Sequence, residues 1–185
     1  MAHFILFSGH MIDKQGRSPA RFPPKKEVAA AKAIYDVLKK IKASGDAVNF
    51  CGLAAAACGG DILFHEACQA LHIPSEIYLG IPVNAFLQTS VAFAGKQWVE
   101  RYRALVRTLP VHILFPEADA TVSDSIWEKA NQWMLGLSLA NGGQHMTLVA
   151  LWNGKAGDSQ GGTGHMIRVA KARAAAVDII NIDRL

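Results

Sequence analysis

The amino-acid sequence predicts one α/β domain, with a three-layer Rossmann-like architecture in which helices cover both faces of an open parallel sheet. Short apolar runs alternate with helix-like segments along the whole chain of 185 residues. Strands that alternate with helices in this way form parallel sheets with right-handed crossovers. No linker, low-complexity tract or long charge run interrupts the pattern, so residues 1–185 are predicted to form a single domain.

Three strands and two helices are predicted in the first half of the chain. The strands are His3 to Phe7, Val48 to Cys51 and Glu76 to Leu79. One helix extends from Pro24 to Ala43, because proline suits a helix start, and the other begins near Gly60. The first helix has an apolar stripe opposite its lysines, formed by Val28, Ala31, Ile34, Leu38 and Ile41. The stretch from Gly80 to Asn84 is predicted to be a loop.

Three strands and three helices are predicted in the second half. The strands are Val111 to Phe115, Met146 to Trp152 and Asp178 to Ile182. The helices are Ala94 to Thr108, Ser125 to Ala140 and a last one after the turn at Gly161 to Gly164. In parallel sheets the ligand lies beyond the carboxyl ends of the strands. The loops after the first five strands are therefore expected to gather into one site.

Composition and charge restrict the class of protein. Hydrophobic residues make up 51% and charged residues 18%, as in globular domains rather than disordered chains. No apolar run approaches the roughly 18 residues of a membrane helix, and the apolar part of the amino terminus is too short for a secretory signal. A cytoplasmic protein without membrane contact is expected. The three cysteines lack zinc-type spacing, so we expect reduced, mostly buried thiols and no metal site.

The distribution of basic residues favours an anionic small molecule as the partner. The net charge is +4, and basic residues cluster after the first strand and beside the last glycine turn. There is no long basic run and no interleaving of aromatic and basic residues of the kind that single-strand-binding proteins use. Nucleic acid is therefore not the expected partner.

Two glycine-dense turns stand where a predicted strand gives way to a helix. They contain Gly161, Gly162 and Thr163, and Gly59, Gly60 and Asp61, with Gly52 upstream of the second turn. Unpaired N–H groups at a helix start attract anions, and glycine lets a ligand approach the backbone closely. Neither turn matches the dinucleotide-binding fingerprint or the ATP phosphate loop, so neither NAD nor another cofactor is expected.

Five segments spread over most of the chain resemble one known superfamily when they are taken together. They are FSGHMID, RSPARFP, CGGDILFHEA, WNGK and GGTGHMIRVAKAR. This combination resembles the SLOG superfamily, the Rossmann-like domains named after the Smf/DprA DNA-processing proteins and the Lonely Guy enzymes. It is most similar to the SLOG-like modules of bacterial signalling and conflict systems. The resemblance implies a pocket for a nucleotide or nucleotide-derived messenger, a role as a sensor, and a fused or associated effector domain.

The resemblance also assigns positions to the pocket. They are Ser8, Gly9 and His10 after the first strand, Gly59, Gly60 and Asp61 after the second, and Gly161, Gly162 and Thr163 on the phosphate side. From residue chemistry alone, Arg17 and Arg21 can present a planar fork of donors to phosphate oxygens. The charge of Asp61 repels phosphate and suits ribose hydroxyls instead.

Glu66 is the candidate catalytic residue if the domain cleaves glycosidic bonds, because its carboxylate can stabilise a sugar cation or act as a nucleophile. Lonely Guy hydrolases carry a catalytic glutamate shortly after their glycine turn, whereas here no Glu or Asp follows Gly164 before Asp178. A sensor is therefore favoured. An N-glycosidase or phosphoribohydrolase is the first alternative, and a DNA-processing protein is the second.

Trp127 and Trp133 predict self-association. Six residues of helix separate them by about 120° around the axis, so one core-facing surface does not cover both. One tryptophan is expected to be exposed and to form an apolar patch with Met134 and Leu137. We therefore expect a homodimer or a higher homo-oligomer.

Overall fold

A computed structural model of the chain describes residues 2–44, 49–117, 124–155 and 162–185. Within these ranges strands and helices alternate as the sequence predicts, except that a helix absent from the prediction, at Val83–Ser90, precedes the predicted helix between the third and fourth strands. In chain order they are β1 (His3–Gly9), α1 (Glu27–Ser44), β2 (Phe50–Ala54), α2 (Gly60–Ala70), β3 (Ser75–Leu79), α3 (Val83–Ser90), α4 (Lys96–Thr108), β4 (Val111–Ile113), α5 (Asp124–Ser138), β5 (Met146–Trp152), α6 (Thr163–Ala172) and β6 (Ala176–Asn181). The predicted fifth strand is confirmed residue for residue.

The six strands form one parallel sheet in the order β4-β3-β2-β1-β5-β6. The chain builds the sheet outward from β1 to β4, then returns to the other side of β1 and continues with β5 and β6. The connections that leave β1 and β5 at their carboxyl ends therefore diverge, which opens a crevice at the boundary between the two strands.

Helices cover both faces of the sheet. Ile5 and Phe7 of β1 pack with residues of α1, α2 and α4, whereas Leu6 packs with residues of α5 and α6. This alternation follows from the pleat of a strand, in which successive side chains point to opposite faces. The predicted α/β fold with a three-layer, Rossmann-like arrangement is confirmed.

Strand β2 differs from the prediction, and the difference changes the role of Gly52. The strand continues to Ala54, so Gly52 lies inside it and not in a ligand loop. A Cβ atom on Gly52 would lie 2.9 Å from the ring of Phe64 and 3.1 Å from the Cβ of Ser75. Gly52 therefore lets α2 and β3 pack closely against β2, which corrects its assignment to the ligand site.

Two helical segments also differ from the prediction. In α1 the buried residues include Ala30, whereas Val28 is 82% exposed, so the predicted apolar stripe begins two residues too early. The predicted loop from Gly80 to Asn84 ends sooner, because α3 begins at Val83 directly after Pro82. A proline cannot donate a backbone hydrogen bond and suits the position before a helix.

The helices of the described ranges include none with the length and apolar character needed to cross a membrane.

Candidate functional site

A cleft of about 420 Å³ opens at the carboxyl end of the sheet. Its walls come from the ends of β1, β2 and β3, from α3 and α5, and from the starts of α2 and α6. The described lining residues are Phe7, Ser8, Gly9, Met11, Ala55, Ala57, Asp61, Tyr78, Gly80, Phe86, Thr89, Ser90, Trp127, Ala130, Asn131, Met134, Gly162 and Thr163. Of the predicted site residues, the cleft thus brings together Ser8, Gly9, Asp61, Gly162 and Thr163. Gly161 lies outside the described residues.

The polar side of the cleft lies between β1 and α6. The hydroxyl oxygens of Ser8 and Thr163 are 2.8 Å apart and hydrogen-bond to each other. Gly162 precedes the helix, and its carbonyl accepts the N–H groups of His165 and Met166. The first N–H groups of a helix have no intrahelical acceptor, so the start of α6 presents donors at this side of the cleft.

Gly9 brings the backbone of β1 to the cleft surface. A Cβ atom at this position would lie 2.9 Å from the ring of Phe7 and 3.0 Å from the Cβ of Leu151. Any side chain would displace these neighbours.

Asp61 is the acidic residue among the described lining residues. It is the second residue of α2, and its Oδ2 accepts the N–H of Ala57 at 3.1 Å. Burial raises the pKa of this carboxyl group to about 7, and the hydrogen bond from Ala57 opposes the rise. The group therefore changes between its neutral and ionised forms near neutral pH.

The opposite wall is aromatic, and the sequence analysis did not assign it to the site. Trp127 meets Phe86 edge to face, with ring centroids 5.7 Å apart. Tyr78 also lines the cleft. Trp133 of α5 packs edge to face on the Tyr78 ring, with ring centroids 4.9 Å apart. A signal was present in the sequence, because Trp127, Asn131 and Met134 recur at helical spacing and so share one side of α5.

The observed positions of the two tryptophans differ from the predicted exposed patch on α5. Trp127 and Trp133 are both partly buried, because one faces the cleft and the other packs on Tyr78. Met134 is 2% exposed, and only Leu137 remains at the surface, at 37%. The patch that suggested a dimer is therefore absent from this helix.

Gly59 and Gly60 join the loop after β1 to α2. Gly59 has φ +111°, forms a bridge with Met11, and would place a Cβ 2.7 Å from the backbone nitrogen of Ile12. The N–H of Gly60 donates to the carbonyl of His10 at 3.1 Å. Neither glycine is among the described lining residues of the cleft, and both allow close packing between the backbone of the loop after β1 and the start of α2.

His10 lies at the rim of the cleft, beyond Gly9. Burial and the charges of Arg21 and Arg17 lower the pKa of its ring, and they outweigh a hydrogen bond from Asn153 and the charge of Asp13, which raise it. Its Nε2 is buried and has no hydrogen-bond partner in the part of the chain that the structure describes. A ligand that reaches past Gly9 would find a neutral imidazole there.

Arg17 and Arg21 belong to a loop that folds around Asp13. The Asp13 carboxylate accepts the N–H of Arg21 and of Phe22 at 2.9 Å, and the Nε of Arg17 lies 3.5 Å from it. Neither arginine is among the described lining residues of the cleft. Arg17 instead lines a neighbouring groove of about 440 Å³ together with Lys14 and Phe93.

Glu66, the candidate catalytic residue, lies outside the cleft. Its two carboxylate oxygens accept the Nε and Nη2 of Arg101 at 2.7 and 2.6 Å, while Nη1 of Arg101 donates to Glu27 at 2.7 Å. Five residues along a helix correspond to about 140° of rotation, so Glu66 and Asp61 occupy different sides of α2. The ion cluster connects α1, α2 and α4, so the structure places the candidate catalytic carboxylate in a contact between helices and not among the described lining residues of the cleft.

His65, next to Glu66, is a buried structural residue. Its two ring nitrogens lie 3.0 Å from the Ser75 hydroxyl and 2.9 Å from the Ala55 carbonyl oxygen. Burial lowers the pKa of this ring to about 4, so it is neutral at physiological pH. The neutral ring ties α2 to the end of β2 and to the start of β3.

The cysteines are free thiols, and Cys58 and Cys68 are buried. Burial raises the pKa of Cys58 to about 12, which makes it a poor nucleophile. Among the described residues no cluster of His, Cys, Asp and Glu has the arrangement of a metal site.

Comparison with known proteins identifies the fold. No protein-family model and no curated protein matches the chain. A solved structure that does match is the X-ray structure of DNA processing protein A (DprA) from Streptococcus pneumoniae, with a TM-score of 0.58 and 12% sequence identity. The similarity covers 96% of this chain and 50% of the DprA chain, so the chain spans half the length of that protein. The molecule therefore has the Rossmann-like open-sheet fold that DprA contains.

Proposed function

We propose that the chain binds a nucleotide or nucleotide-derived messenger in the cleft at the carboxyl end of its sheet and acts as a sensor module. One observation carries this proposal. A single cleft of about 420 Å³ combines an aromatic wall, a carboxyl group and the start of a helix. These are the groups that suit a base, a ribose and a phosphate, and the volume falls within the range of small-molecule sites.

The polar side of the cleft suits the sugar and the phosphate. Gly162 and Thr163 bring the first N–H groups of α6 to the surface, where the helix dipole favours an anion. Asp61 lines the same cleft, and a carboxylate can accept hydrogen bonds from two ribose hydroxyls. Repulsion between Asp61 and phosphate favours this orientation of the ligand over the reverse one.

His10, Arg17 and Arg21 extend the proposed site beyond the cleft. All three follow β1, and the charges of both arginines act on the His10 ring. A messenger with a second phosphate has more negative charge than the cleft residues meet. We therefore retain the arginines as phosphate ligands for the part of the messenger outside the cleft.

A sensor is better supported than an enzyme. Glu66 is paired with Arg101 away from the cleft, and Asp61 has no second acidic residue opposite it among the described lining residues. Glycosidic hydrolysis commonly uses two carboxyl groups. A sensor of this kind would control an associated effector domain or self-association.

Calorimetry with AMP, GMP, CMP, UMP, NAD and ADP-ribose tests the proposal. We expect at least one of these compounds to bind at one site per chain and to be recovered unchanged. Chromatography after overnight incubation separates the sensor from the enzyme, because only an enzyme releases free base. If none of the compounds binds, the proposed function is wrong.

Single-stranded DNA is a second candidate ligand, and the groove beside the cleft favours it. Lys14 Nζ lies 4.9 Å from the centre of the Phe93 ring, and Arg17 lines the same groove. Basic grooves with aromatic side chains bind single strands, and the DprA similarity is compatible with this use. Fluorescence anisotropy with an oligonucleotide tests it. Affinity should fall steeply with salt and should weaken in Lys14→Ala, whereas binding in the cleft should be unaffected by that change.

A further inference from the structure

The cleft has two chemically different halves. Ser8, Asp61, Gly162 and Thr163 form the polar half described above. The other half lies between α3 and α5, where most lining residues are apolar or aromatic. It contains Phe86, Trp127, Ala130 and Met134. A ligand with a polar and an apolar end therefore has one orientation that satisfies both halves.

The aromatic half is held in place by the protein itself. Phe86 is 2% exposed, and its ring stacks on Tyr102 with an interplanar angle of 10°. The hydroxyl of Tyr102 donates to the carbonyl of Val83 at 2.9 Å, which fixes the Tyr102 ring beneath α3. Trp127 then packs edge to face on Phe86. A wall ordered in advance loses little side-chain freedom when a ligand arrives.

The half of the cleft between α3 and α5 suits an uncharged group of a ligand. No Lys or Arg is among the described residues that line the cleft. The described polar side chains of this half are the uncharged Thr89, Ser90 and Asn131, and the Thr89 hydroxyl contacts the Ser90 hydroxyl and the carbonyls of Ala85 and Phe86. A nucleobase is neutral and flat, and its edge combines donors and acceptors, so it fits better than a phosphate or a saturated chain.

We propose that the apolar half of the cleft is a base-binding subsite in which Trp127 of α5, supported by Phe86 of α3, contacts the flat face of the nucleobase. This inference rests on the proposed function and adds the requirement for an aromatic base. Trp127 thus determines which ligands bind, while α6 and Asp61 hold the part that all ribose phosphates share.

Two ligands and three variants of the full chain test the subsite. The ligands are the tightest-binding compound among AMP, GMP, CMP and UMP, and ribose 5-phosphate, which lacks a base. Trp127→Leu removes the proposed contact, Trp127→Phe keeps an aromatic ring, and Trp133→Leu is the matched control. Trp133 lies on the same helix and is equally partly buried, but it does not line the cleft. Affinities are measured by calorimetry, and circular dichroism checks folding.

We expect Trp127→Leu to weaken nucleotide binding by about fivefold to 150-fold, the range reported for base stacking on aromatic side chains. Trp127→Phe should recover most of the affinity, and Trp133→Leu should change it less than about twofold. Ribose 5-phosphate should bind more weakly than the nucleotide and equally to all variants.

Two results would overturn the subsite and leave the proposed function intact. One is equal affinity of the parent for ribose 5-phosphate and for the nucleotide. The other is an equal loss of nucleotide affinity in Trp127→Leu and Trp133→Leu, which would indicate a general effect on α5. If no nucleotide binds to the parent protein, the proposed function and the subsite fail together.

Discussion

Asp61 places a carboxyl group at the start of α2, where burial raises its pKa from 3.8 to about 7. Between about pH 4 and pH 7 the folded chain therefore keeps a proton on Asp61 that the unfolded chain has released. Raising the pH from about 4 to about 7 therefore lowers the free energy of unfolding of the parent protein. The amide in Asp61→Asn cannot ionise, so that variant avoids this loss.

Urea denaturation at pH 5 and pH 8 checks this prediction. At each pH we compare the free energy of unfolding of Asp61→Asn with that of the parent. This difference should shift in favour of the variant by more than about 1 kcal/mol from pH 5 to pH 8. Asp36→Asn is the control, since Asp36 lies on the exposed surface of α1 and pairs with Lys32. A parallel change in Asp61→Asn and the parent would show that Asp61 ionises like an exposed carboxyl group.

Gly162 is the residue at which the proposed phosphate contact is tested. Its φ of −67° is open to any amino acid, so valine can replace it without backbone strain. The added side chain should block close approach of a phosphate to the start of α6. Loss of a charge-assisted hydrogen bond costs about 1.5–3 kcal/mol, so nucleotide affinity should fall about tenfold to 100-fold in calorimetry.

Gly164→Ala is the matched control for Gly162→Val. Gly164 lies two residues further along the first turn of α6, outside the lining of the cleft, and an added Cβ would make ordinary contact with Trp152 at 3.4 Å. It should bind nucleotides like the parent. If Gly162→Val also binds like the parent, the start of α6 is not part of the site.

At the scale of a single element, α2 has two sides with different tasks. Asp61 faces the cleft, whereas Glu66 holds Arg101, whose guanidinium also lies 4.0 Å above the Trp98 ring. Burial opposes the charge of Arg101, but the hydrogen bonds and charges of Glu66 and Glu27 outweigh burial and raise the pKa of this guanidinium, so Arg101 stays protonated. Glu66 thus stabilises the packing of α2 on α4.

Glu66→Gln should lower the free energy of unfolding by about 1 kcal/mol and leave nucleotide affinity unchanged, because the pair is partly exposed and lies away from the cleft. Urea denaturation and calorimetry measure the two effects. Glu100→Gln is the control, since its pairing with Lys96 at 3.6 Å is fully at the surface and should contribute less than about 0.5 kcal/mol. Base release by the parent that disappears in Glu66→Gln would contradict this assignment and favour the enzyme.

At the scale of the whole molecule, the cleft joins elements from both faces of the sheet. It contacts α2 and α3 on one side and α5 and α6 on the other. A bound ligand should therefore stabilise the entire domain and not one loop. At a ligand concentration 100 times the dissociation constant, the gain is about 2.7 kcal/mol.

For a chain of this size, that gain should raise the melting temperature by about 5–10 °C, as measured by thermal denaturation with and without the nucleotide. Gly162→Val at the same ligand concentration should show a smaller rise. An unchanged melting temperature at a concentration that saturates the parent in calorimetry would place the binding site outside the folded domain.

Several features of the molecule could be predicted from local sequence. The order of strands and helices follows from apolar periodicity, and β5 was predicted with its observed bounds. Ser8, Gly9, Asp61, Gly162 and Thr163 were predicted to meet because the carboxyl ends of parallel strands share one edge of the sheet. These inferences depend on spacing along the chain, which the sequence records directly.

What each side chain faces depends on the tertiary structure. The sequence predicts a loop at Gly52 because strands have no sharp sequence boundary. It offers Glu66 as a catalytic carboxylate because nothing local shows that Arg101, 35 residues away, pairs with it. Trp127 was interpreted as a dimer contact, since nothing local shows that Phe86 lies opposite it. The layers of the fold and the sheet edge at which a site forms can be predicted from the sequence, because both follow from short-range periodicity. Which aromatic and charged groups enter that site depends on packing between distant segments, so only the folded chain determines it.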